Sequence, residues 1–478
     1  MADARTPLDV DGYLGVTPGI TDRLERDLAV AWTARGCTLA PERPVAWRAR
    51  SSTYVDGLFI AEEGEAPDPF PPGGLVVGTV RMGYGHYRMA LGVCSWALKR
   101  GAAPWLIDLL ATERDESRLI RRADALYSRL SRLAADTGGV VEWAWGRLMK
   151  SGGLASLRAS CALAEQLAAL VNGLPGEAPI VSTYPLFGQA AVACGFERVV
   201  NLVFDNDPQY FLVVPRALNL VQSPSAYQRL RQLGVPARDL AIAGHWVGAD
   251  IALNAARDCE LRIRRADRGT PKRLLVSVGG AGAQRRYLSR LFTALAPRLK
   301  DGELRLLVNI GDHRDLERPF VELFERLQLS CELVDGWEGL APFLKANDLG
   351  APDHAGPPVT LFSMKAHFEG VLATDQLVRV ADVLVTKPSE LAFVPVPKLH
   401  IRRVGDHEAR SARRSAELGD GTLECRTVAD ATRMTAMMTE EPSLIRAMNE
   451  AIIANAARGT YDGSRRAVEY ALDGAPRR

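Results

Sequence analysis

Two glycine-rich turns constrain this fold more than any other feature, because each follows a short apolar run and precedes a helix-like pattern. The first is Gly83-Tyr84-Gly85-His86, after 75–80, and the second is Gly279–Gln284, after 274–278. A strand, a glycine turn and a helix start place backbone N–H groups at the positive end of a helix dipole, where an anion or polar ligand can bind. One such unit in each half of the chain favours an α/β fold of two doubly wound, Rossmann-like domains that face each other across a cleft.

Length and composition agree with a two-domain globular protein. The chain has 478 residues, of which 47% are hydrophobic and 24% charged, and this length indicates more than one core. The net charge of +2 gives no sign of nucleic-acid binding. The cysteines are scattered without a CxxC pair, which suits a reducing compartment. Because no secretory signal or membrane-spanning run is visible, we expect a cytoplasmic protein, at most peripheral on the inner face of the membrane.

The alternation of strand and helix patterns predicts how the chain is organised. Strands are predicted near 46–60 and at 75–80, 105–110, 179–183, 199–204, 218–221, 241–244, 274–278, 304–310, 331–334, 359–362, 383–386 and 399–401. The predicted segments are an N-terminal extension (1–72), an N-terminal Rossmann-like domain (73–250) with a helical insertion (113–174), a connection (251–272), a C-terminal Rossmann-like domain (273–442) and C-terminal helices (443–478).

Two polar side chains in the first half are candidates for proton transfer. His86 ends the first glycine turn, where the helix N-terminus should keep the imidazole neutral and able to act as a general base. The alternative is that it only caps the turn. Asp205-Asn206-Asp207 follows a strand and should face the same cleft. An ordinary β-turn explains this triplet equally well, and two carboxylates alone are a weak metal signal.

Three loops of the second half are predicted to converge on one edge of its sheet. The glycines of Gly279–Gln284 let the backbone approach a ligand closely, and a diphosphate is the expected ligand. The alternative is a tight turn that binds no ligand. Lys387-Pro388-Ser389-Glu390 leads from a buried strand into a predicted helix capped by Ser389. Lys387 can neutralise a phosphate there, and Glu390 can bond a ribose diol. Residues 405–410 begin another helix after strand 399–401.

Several common reaction classes lack their motifs here. The chain contains no GxxxxGK[ST] nucleotide loop, no GxSxG nucleophile turn, no HExxH helix and no paired CxxC. The first glycine turn does not fit GxGxxG, and no acidic residue follows the next strand in the place that dinucleotide binding needs. Hydride transfer is therefore disfavoured.

The order of the motifs resembles that of the GT-B glycosyltransferases. Within them it is similar to the group, glycosyltransferase family 28-like, that holds the UDP-GlcNAc transferase of lipid II synthesis and the monogalactosyldiacylglycerol synthases. The resemblance runs from about Leu75 to Gly421 and rests on the acceptor loop at 83–86, the passage to the hinge at 223–247, the donor loop at 279–284, the "ADxxITK" strand at 381–387 and the "GQE" segment at 405–408.

The resemblance implies an inverting, metal-independent transfer of a sugar from a nucleotide-sugar, UDP-linked, to a hydroxyl of a lipid-linked or small-molecule acceptor. The nucleotide-sugar is then a co-substrate, and no other cofactor is implied. His86, or else Asp205, would deprotonate the acceptor. The residues implied in binding are Gly83, Gly85, Gly279, Gly280, Ala281, Gly282, Gln284, Lys387, Ser389, Glu390, His407 and Glu408.

The chain also departs from the pattern of that group. Lys387–Glu390 stands where serine or alanine and glycines are usual, and Phe393-Val394-Pro395 replaces the usual helix-borne glutamate. His245-Trp246 stands in place of a hinge proline, and His407 in place of glutamine. A nucleotide-sugar epimerase or hydrolase on the same scaffold and a non-catalytic nucleotide-sugar-binding protein are therefore alternatives.

Contact with a membrane surface is a further hypothesis from the sequence. The insertion carries apolar residues beside basic ones, namely Trp143, Trp145, Leu148 and Met149 with Arg147 and Lys150. This pattern indicates either an interfacial helix or an ordinary aromatic core contact.

Overall fold

The computed structural model describes residues 8–17, 42–121, 153–279, 284–352, 356–403 and 408–474. Four predicted binding residues, Gly280, Ala281, Gly282 and His407, lie outside these ranges, as do the helix expected near 21–35 and the tryptophan segment 143–150. Among the described residues, no helix is long and apolar enough to cross a membrane.

The first half of the chain forms a sheet of eight strands. The strands are β1 (Trp47–Ser51), β2 (Phe59–Glu63), β3 (Gly74–Thr79), β4 (Ala103–Asp108), β5 (Ile180–Ser182), β6 (Val199–Leu202), β7 (Leu218–Val221) and β8 (Leu240–Ile242). Their order is β1-β2-β4-β3-β5-β6-β7-β8. The pairs are parallel except β1–β2, which are antiparallel. The single strand predicted near 46–60 is thus two strands at the edge of this sheet.

The second half forms a sheet of six parallel strands. They are β9 (Lys272–Ser277), β10 (Leu304–Asn309), β11 (Cys331–Asp335), β12 (Val359–Ser363), β13 (Val383–Thr386) and β14 (Lys398–His400), in the order β11-β12-β10-β9-β13-β14. The order reverses between β9 and β13 here, and between β3 and β5 in the first sheet. These reversals are the topological switch points of doubly wound folds.

Helices cover both faces of each sheet. The α-helices described are α1 (Val10–Leu14), α2 (Gly85–Lys99), α3 (Leu154–Gln166), α4 (Pro185–Ala193), α5 (Pro224–Gln232), α6 (Ala249–Asp267), α7 (Arg285–Lys300), α8 (Glu317–Arg326), α9 (Trp337–Ala346), α10 (His367–Leu377), α11 (Glu408–Glu417), α12 (Val428–Glu440), α13 (Pro442–Ala457) and α14 (Gly463–Asp473). The last of them, α14, packs on α2 of the first half.

Alternate residues of the central strands enter different cores. In β3, Val76 joins the core with α3 and α4, whereas Leu75 and Val77 join the core with α2 and α14. In β9, Leu274 packs with α7 and α8, and Leu275 packs with α6 and α10 on the other face. Because successive side chains of a strand point to opposite faces, apolar residues at every position require both faces to be covered. The predicted fold class, two doubly wound α/β sheets, is confirmed.

Candidate functional site

The first glycine turn and Gly279, the residue with which the second begins, lie at the switch points of their sheets, at the carboxyl ends of the strands. The first turn follows β3, and His86 Nδ1 reaches 2.7 Å to the carbonyl oxygen of Thr183, which follows β5. The second turn follows β9, and a Cβ placed on Gly279 would lie 3.0 Å from Cε of Lys387, which follows β13. In open α/β sheets this crevice is where ligands bind.

His86 lies in the first turn of α2, after Gly83 with its φ of +70°. Its ring is held edge-on by Tyr184 and Phe204, with centroid distances of 5.0 and 4.5 Å. Because a carbonyl oxygen only accepts, Nδ1 carries the hydrogen in the bond to Thr183 and Nε2 keeps its lone pair. Burial lowers the pKa of the imidazole to about 4, against the opposing effects of the Thr183 carbonyl and the Glu390 charge. His86 is therefore neutral at pH 7 and has a free proton-accepting nitrogen.

Glu390 reaches from the second sheet to the first glycine turn. Its Oε2 lies 3.5 Å from the position a Cβ would take on Gly85. Burial lowers the pKa values of His86 and Arg88, and the Glu390 charge opposes this lowering. The carboxylate makes no hydrogen bond or ion pair with any described residue. The two switch points thus face each other, with a neutral imidazole on one side and a carboxylate on the other.

The prediction that a helix begins at Ser389 is wrong. The segment is a single 3-10 turn, Glu390–Phe393, and the Ser389 side chain makes no capping hydrogen bond. Pro395 cannot donate a backbone hydrogen bond, and it disfavours helical backbone at Val394 before it. The positive end of a helix dipole that was expected at Lys387–Glu390 is consequently not formed.

Two residues that the resemblance implies in ligand binding are bonded to each other. Lys387 Nζ lies 2.5 Å from Glu408 Oε1, and Glu408 is almost fully buried at the start of α11. Gln284 has a positive φ of 77° before α7. Its side-chain amide donates to the backbone carbonyl of Arg402. The structure therefore ties the second turn to the loops after β13 and β14.

The acidic triplet after β6 lies beside His86 and faces the second sheet. Asn206 Oδ1 accepts a hydrogen bond of 2.9 Å from Ser223, the residue that caps α5. Asp207 lies 3.6 Å from Arg410 of α11. Asp205 is half-buried and directly follows Phe204, which contacts the His86 ring. Within the described ranges, no group of three or more His, Cys, Asp or Glu residues could hold a metal ion.

The loop Gly311–His313 was not among the predicted site residues. It follows β10, just as the two glycine turns follow β3 and β9. This position after a strand is the sequence signal by which the loop could have been found. Asp312 accepts a hydrogen bond from the Tyr84 hydroxyl, and His313 Nε2 lies 3.1 Å from the carbonyl oxygen of Gly279. The loop therefore contacts both glycine turns.

Acidification is expected to destabilise the protein below about pH 6.5, where an unfolded histidine titrates. Burial lowers the pKa of His86 to about 4. Burial and a neighbouring cation, Arg414 or Lys398, lower those of His245 and His400 to about 3. Between about pH 6.5 and these lowered pKa values, the unfolded chain binds protons that the folded chain does not. The free energy of unfolding therefore falls as the pH falls.

Each such histidine contributes up to about 1.4 kcal/mol per pH unit within that window. Thermal unfolding from pH 7.5 to 4.5 measures the effect, and His400→Gln should reduce its slope. A midpoint that stays constant over this range would contradict the expectation.

Two sequence families match the chain, and both are described as domains of unknown function. The family DUF6937 matches residues 53–232, and DUF6938 matches residues 235–472. No curated protein sequence matches.

Solved structures resemble the chain at low identity. The S. aureus MnaA structure with UDP has 11% identity and a TM-score of 0.44, and the match covers 84% of this chain and 97% of that one. UDP-GlcNAc 2-epimerase from Neisseria meningitidis, bound to UDP-GlcNAc, has 9% identity and a TM-score of 0.45, covering 80% and 97%. An E. coli structure described as trehalose-6-phosphate bound with UDP-2-fluoro glucose has 11% identity and a TM-score of 0.40, covering 85% and 100%.

Along this chain, a DUF6937 match is followed by a DUF6938 match, and together they span residues 53–472 apart from residues 233 and 234.

Proposed function

We propose that this protein is a glycosyltransferase that moves a sugar from a UDP-linked nucleotide-sugar to the hydroxyl of a lipid-linked or small-molecule acceptor, with inversion and without a metal ion. One observation carries the proposal: the switch points of the two sheets face each other, with Glu390, which follows β13, against Gly85, which begins α2. A two-substrate transfer needs two sites that meet at the reacting atoms, and this geometry supports it.

On the first sheet, His86 is the base of the proposed reaction. Its Nε2 takes the proton of the acceptor hydroxyl as that oxygen attacks the anomeric carbon, and the bond from this carbon to the nucleoside diphosphate breaks. The bond from Nδ1 to Thr183 and the two aromatic neighbours hold the ring in one orientation. Asp205, which follows the contacting Phe204, is the second candidate for this role.

On the second sheet, the diphosphate is proposed to bind where β9 passes into α7. That helix has 16 residues, and its unbonded N–H groups and dipole favour an anion at its start. Lys387 lies across Gly279 and supplies a positive charge, which it shares with Glu408. Glu390 faces the gap between the turns and would accept hydrogen bonds from sugar or ribose hydroxyls.

A lipid-linked acceptor implies a protein that works at the cytoplasmic face of a membrane. Co-sedimentation with anionic liposomes tests this part of the proposal. If the protein stays in the supernatant, a small-molecule acceptor becomes the working choice.

A binding screen followed by a turnover assay tests the proposed function. UDP, UDP-GlcNAc, UDP-Gal, UDP-Glc and GDP- and dTDP-sugars are compared by thermal shift and calorimetry. A ligand at a hundredfold excess over its Kd adds about 2.7 kcal/mol of stability. Selective binding of a UDP-sugar with product only when an acceptor is present is the expected result. Consumption of the UDP-sugar without an acceptor favours an epimerase or hydrolase. Binding of a nucleotide-sugar without any product favours a sensor. If none of the nucleotides binds, the proposal is overturned.

The variant Lys387→Met should weaken UDP binding about tenfold or more, because it removes a charge-assisted contact and leaves the Glu408 carboxylate near the phosphates. Lys365→Met is the matched control. Lys365 lies in the same half of the chain and pairs with Glu338 at 3.8 Å, and none of its atoms is within 4 Å of a Cβ placed on Gly279. Calorimetric titration with UDP compares them. Equal affinities in both variants would exclude Lys387 from the phosphate site.

A further inference from the structure

We propose that Tyr84 and His313 are positioning residues that couple the two glycine turns, so that a nucleotide bound at the second turn fixes the first turn and, with it, His86. The inference rests on the proposed function, because it takes the second turn as the nucleotide site. Tyr84 and His313 have no role in the chemical step of the proposed reaction. They form a short path through the loop Gly311–His313 of the second sheet.

The first link of this path is the docking of Tyr84. Its hydroxyl donates to Asp312 Oδ1 and accepts from the Asp312 backbone N–H at 3.0 Å. Although Tyr84 belongs to the first glycine turn, only 3% of it is exposed, because the second sheet encloses it. The His367 ring packs on it, with centroids 4.7 Å apart.

Two glycines make the socket that receives this hydroxyl. A Cβ on Gly311, whose φ is +58°, would lie 2.1 Å from the Tyr84 oxygen, and one on Gly370 would lie 3.2 Å away. The socket therefore has little spare room: a side chain on Gly311 would displace the phenol, and one on Gly370 would press against it. Since Tyr84 and the socket belong to different sheets, this fit exists only while the two sheets are together.

The second link joins the same loop to the second glycine turn. His313, next in the chain after Asp312, has Nε2 3.1 Å from the carbonyl oxygen of Gly279. The carbonyl only accepts, so Nε2 donates. The base of the loop is held by Asn309, whose Oδ1 accepts from the Gly311 N–H at 2.9 Å and whose Nδ2 donates to Thr374 at 2.8 Å. A shift at Gly279 is therefore passed to Asp312 through a three-residue loop whose base is hydrogen-bonded.

The path ends at the proposed base. Tyr84 is the residue before α2, and its carbonyl accepts the backbone N–H of Arg88 at 2.8 Å. His86 lies two residues after Tyr84, in the first turn of that helix. Holding the Tyr84 phenol consequently holds the start of α2 and the imidazole on it. Nucleotide binding that orders Gly279 then also orders His86, which is a coupling free energy between two sites.

Amide hydrogen exchange of residues 83–87, measured with and without UDP, tests the coupling independently of turnover. In the wild-type protein, UDP should slow exchange there by about fivefold or more. Tyr84→Phe, which removes only the hydroxyl, should bind UDP but lose this protection. Tyr54→Phe is the matched control, because the Tyr54 hydroxyl also bonds a carboxylate of the other half, Glu369 at 2.8 Å, without touching the loop. It should keep the full UDP effect.

A second pair of variants guards against a folding defect in Tyr84→Phe. His313→Leu removes the donor to Gly279 and should lose the UDP effect, whereas His313→Gln retains a donor and should recover part of it. The inference alone is overturned if UDP binds to the wild-type protein without slowing exchange at 83–87, or if Tyr84→Phe keeps the full effect. If calorimetry detects no UDP binding to the wild-type protein, the proposed function is overturned, and the coupling that rests on it is overturned as well.

Discussion

Replacing Lys398 by methionine is expected to lower the free energy of unfolding by about 3–5 kcal/mol. Lys398 and Asp420 are both fully buried, with Nζ 3.0 Å from Oδ1. The same ammonium donates to the carbonyl oxygens of Val394 and Val396 at 2.9 and 3.0 Å. Burial lowers the pKa of Lys398, and the charge of Asp420 opposes this. Removing the ammonium leaves a buried carboxylate without its counter-charge and two carbonyls without their donor.

Urea denaturation followed by circular dichroism measures this loss. The double variant Lys398→Met with Asp420→Asn should be more stable than Lys398→Met alone, because it no longer buries an unpaired charge. Lys300→Met, at an exposed position of α7, is the control and should stay within about 0.5 kcal/mol of the wild-type protein. A Lys398→Met protein as stable as this control would show that the buried pair does not stabilise the fold.

The same substitution should also disturb the candidate site. Val394 and Val396 directly follow the 3-10 turn that carries Glu390. Once their carbonyls lose the ammonium, the chain that leaves this turn loses two hydrogen bonds, and Glu390 is expected to hold its place beside Gly85 less firmly. The stability measurement can therefore be paired with UDP calorimetry on the folded fraction.

Replacing His86 by alanine is expected to lower turnover by about 10²- to 10⁴-fold, the usual contribution of a general base. UDP affinity should remain unchanged, because His86 belongs to the first sheet and the nucleotide is proposed to bind the second. His86→Asn is the informative companion variant. Its amide can still donate to the Thr183 carbonyl but cannot accept the proton, so it should be as impaired as alanine.

Steady-state kinetics with the UDP-sugar found in the screen check this expectation, with Asp205→Asn alongside. The loss should appear in kcat and leave the KM for the donor unaltered, since a base acts only in the transition state. Turnover near the wild-type rate in His86→Ala would remove His86 from the mechanism. A large loss in Asp205→Asn instead would transfer the role of base to Asp205.

Local patterns predicted much of the fold. The apolar runs at 75–80 and 274–278 correspond to strands β3 and β9 in the structure, and the next helices described after them are α2 and α7. One local signal pointed the other way. Pro395 already stood too close to Ser389 for a long helix to follow, and the structure accordingly has a four-residue turn there.

The partners of the polar residues could not be predicted in this way. Lys387 and Glu390 were both placed at the nucleotide site, yet Lys387 pairs with Glu408, while Glu390 reaches the first glycine turn. Tyr84 meets Asp312 across 228 positions of the chain. No spacing in the sequence indicates such a pair.

The sequence by itself determined the strand–turn–helix units and the class of the fold, because apolar runs, glycine conformations and helical periodicity act between neighbouring residues. Tertiary structure alone decided that the two switch points face each other, that Glu390 lies beside His86, and that Tyr84 docks between Gly311 and Gly370. A hydrogen bond depends on tenths of an ångström between groups far apart in the chain. Those distances are set only when both sheets have packed.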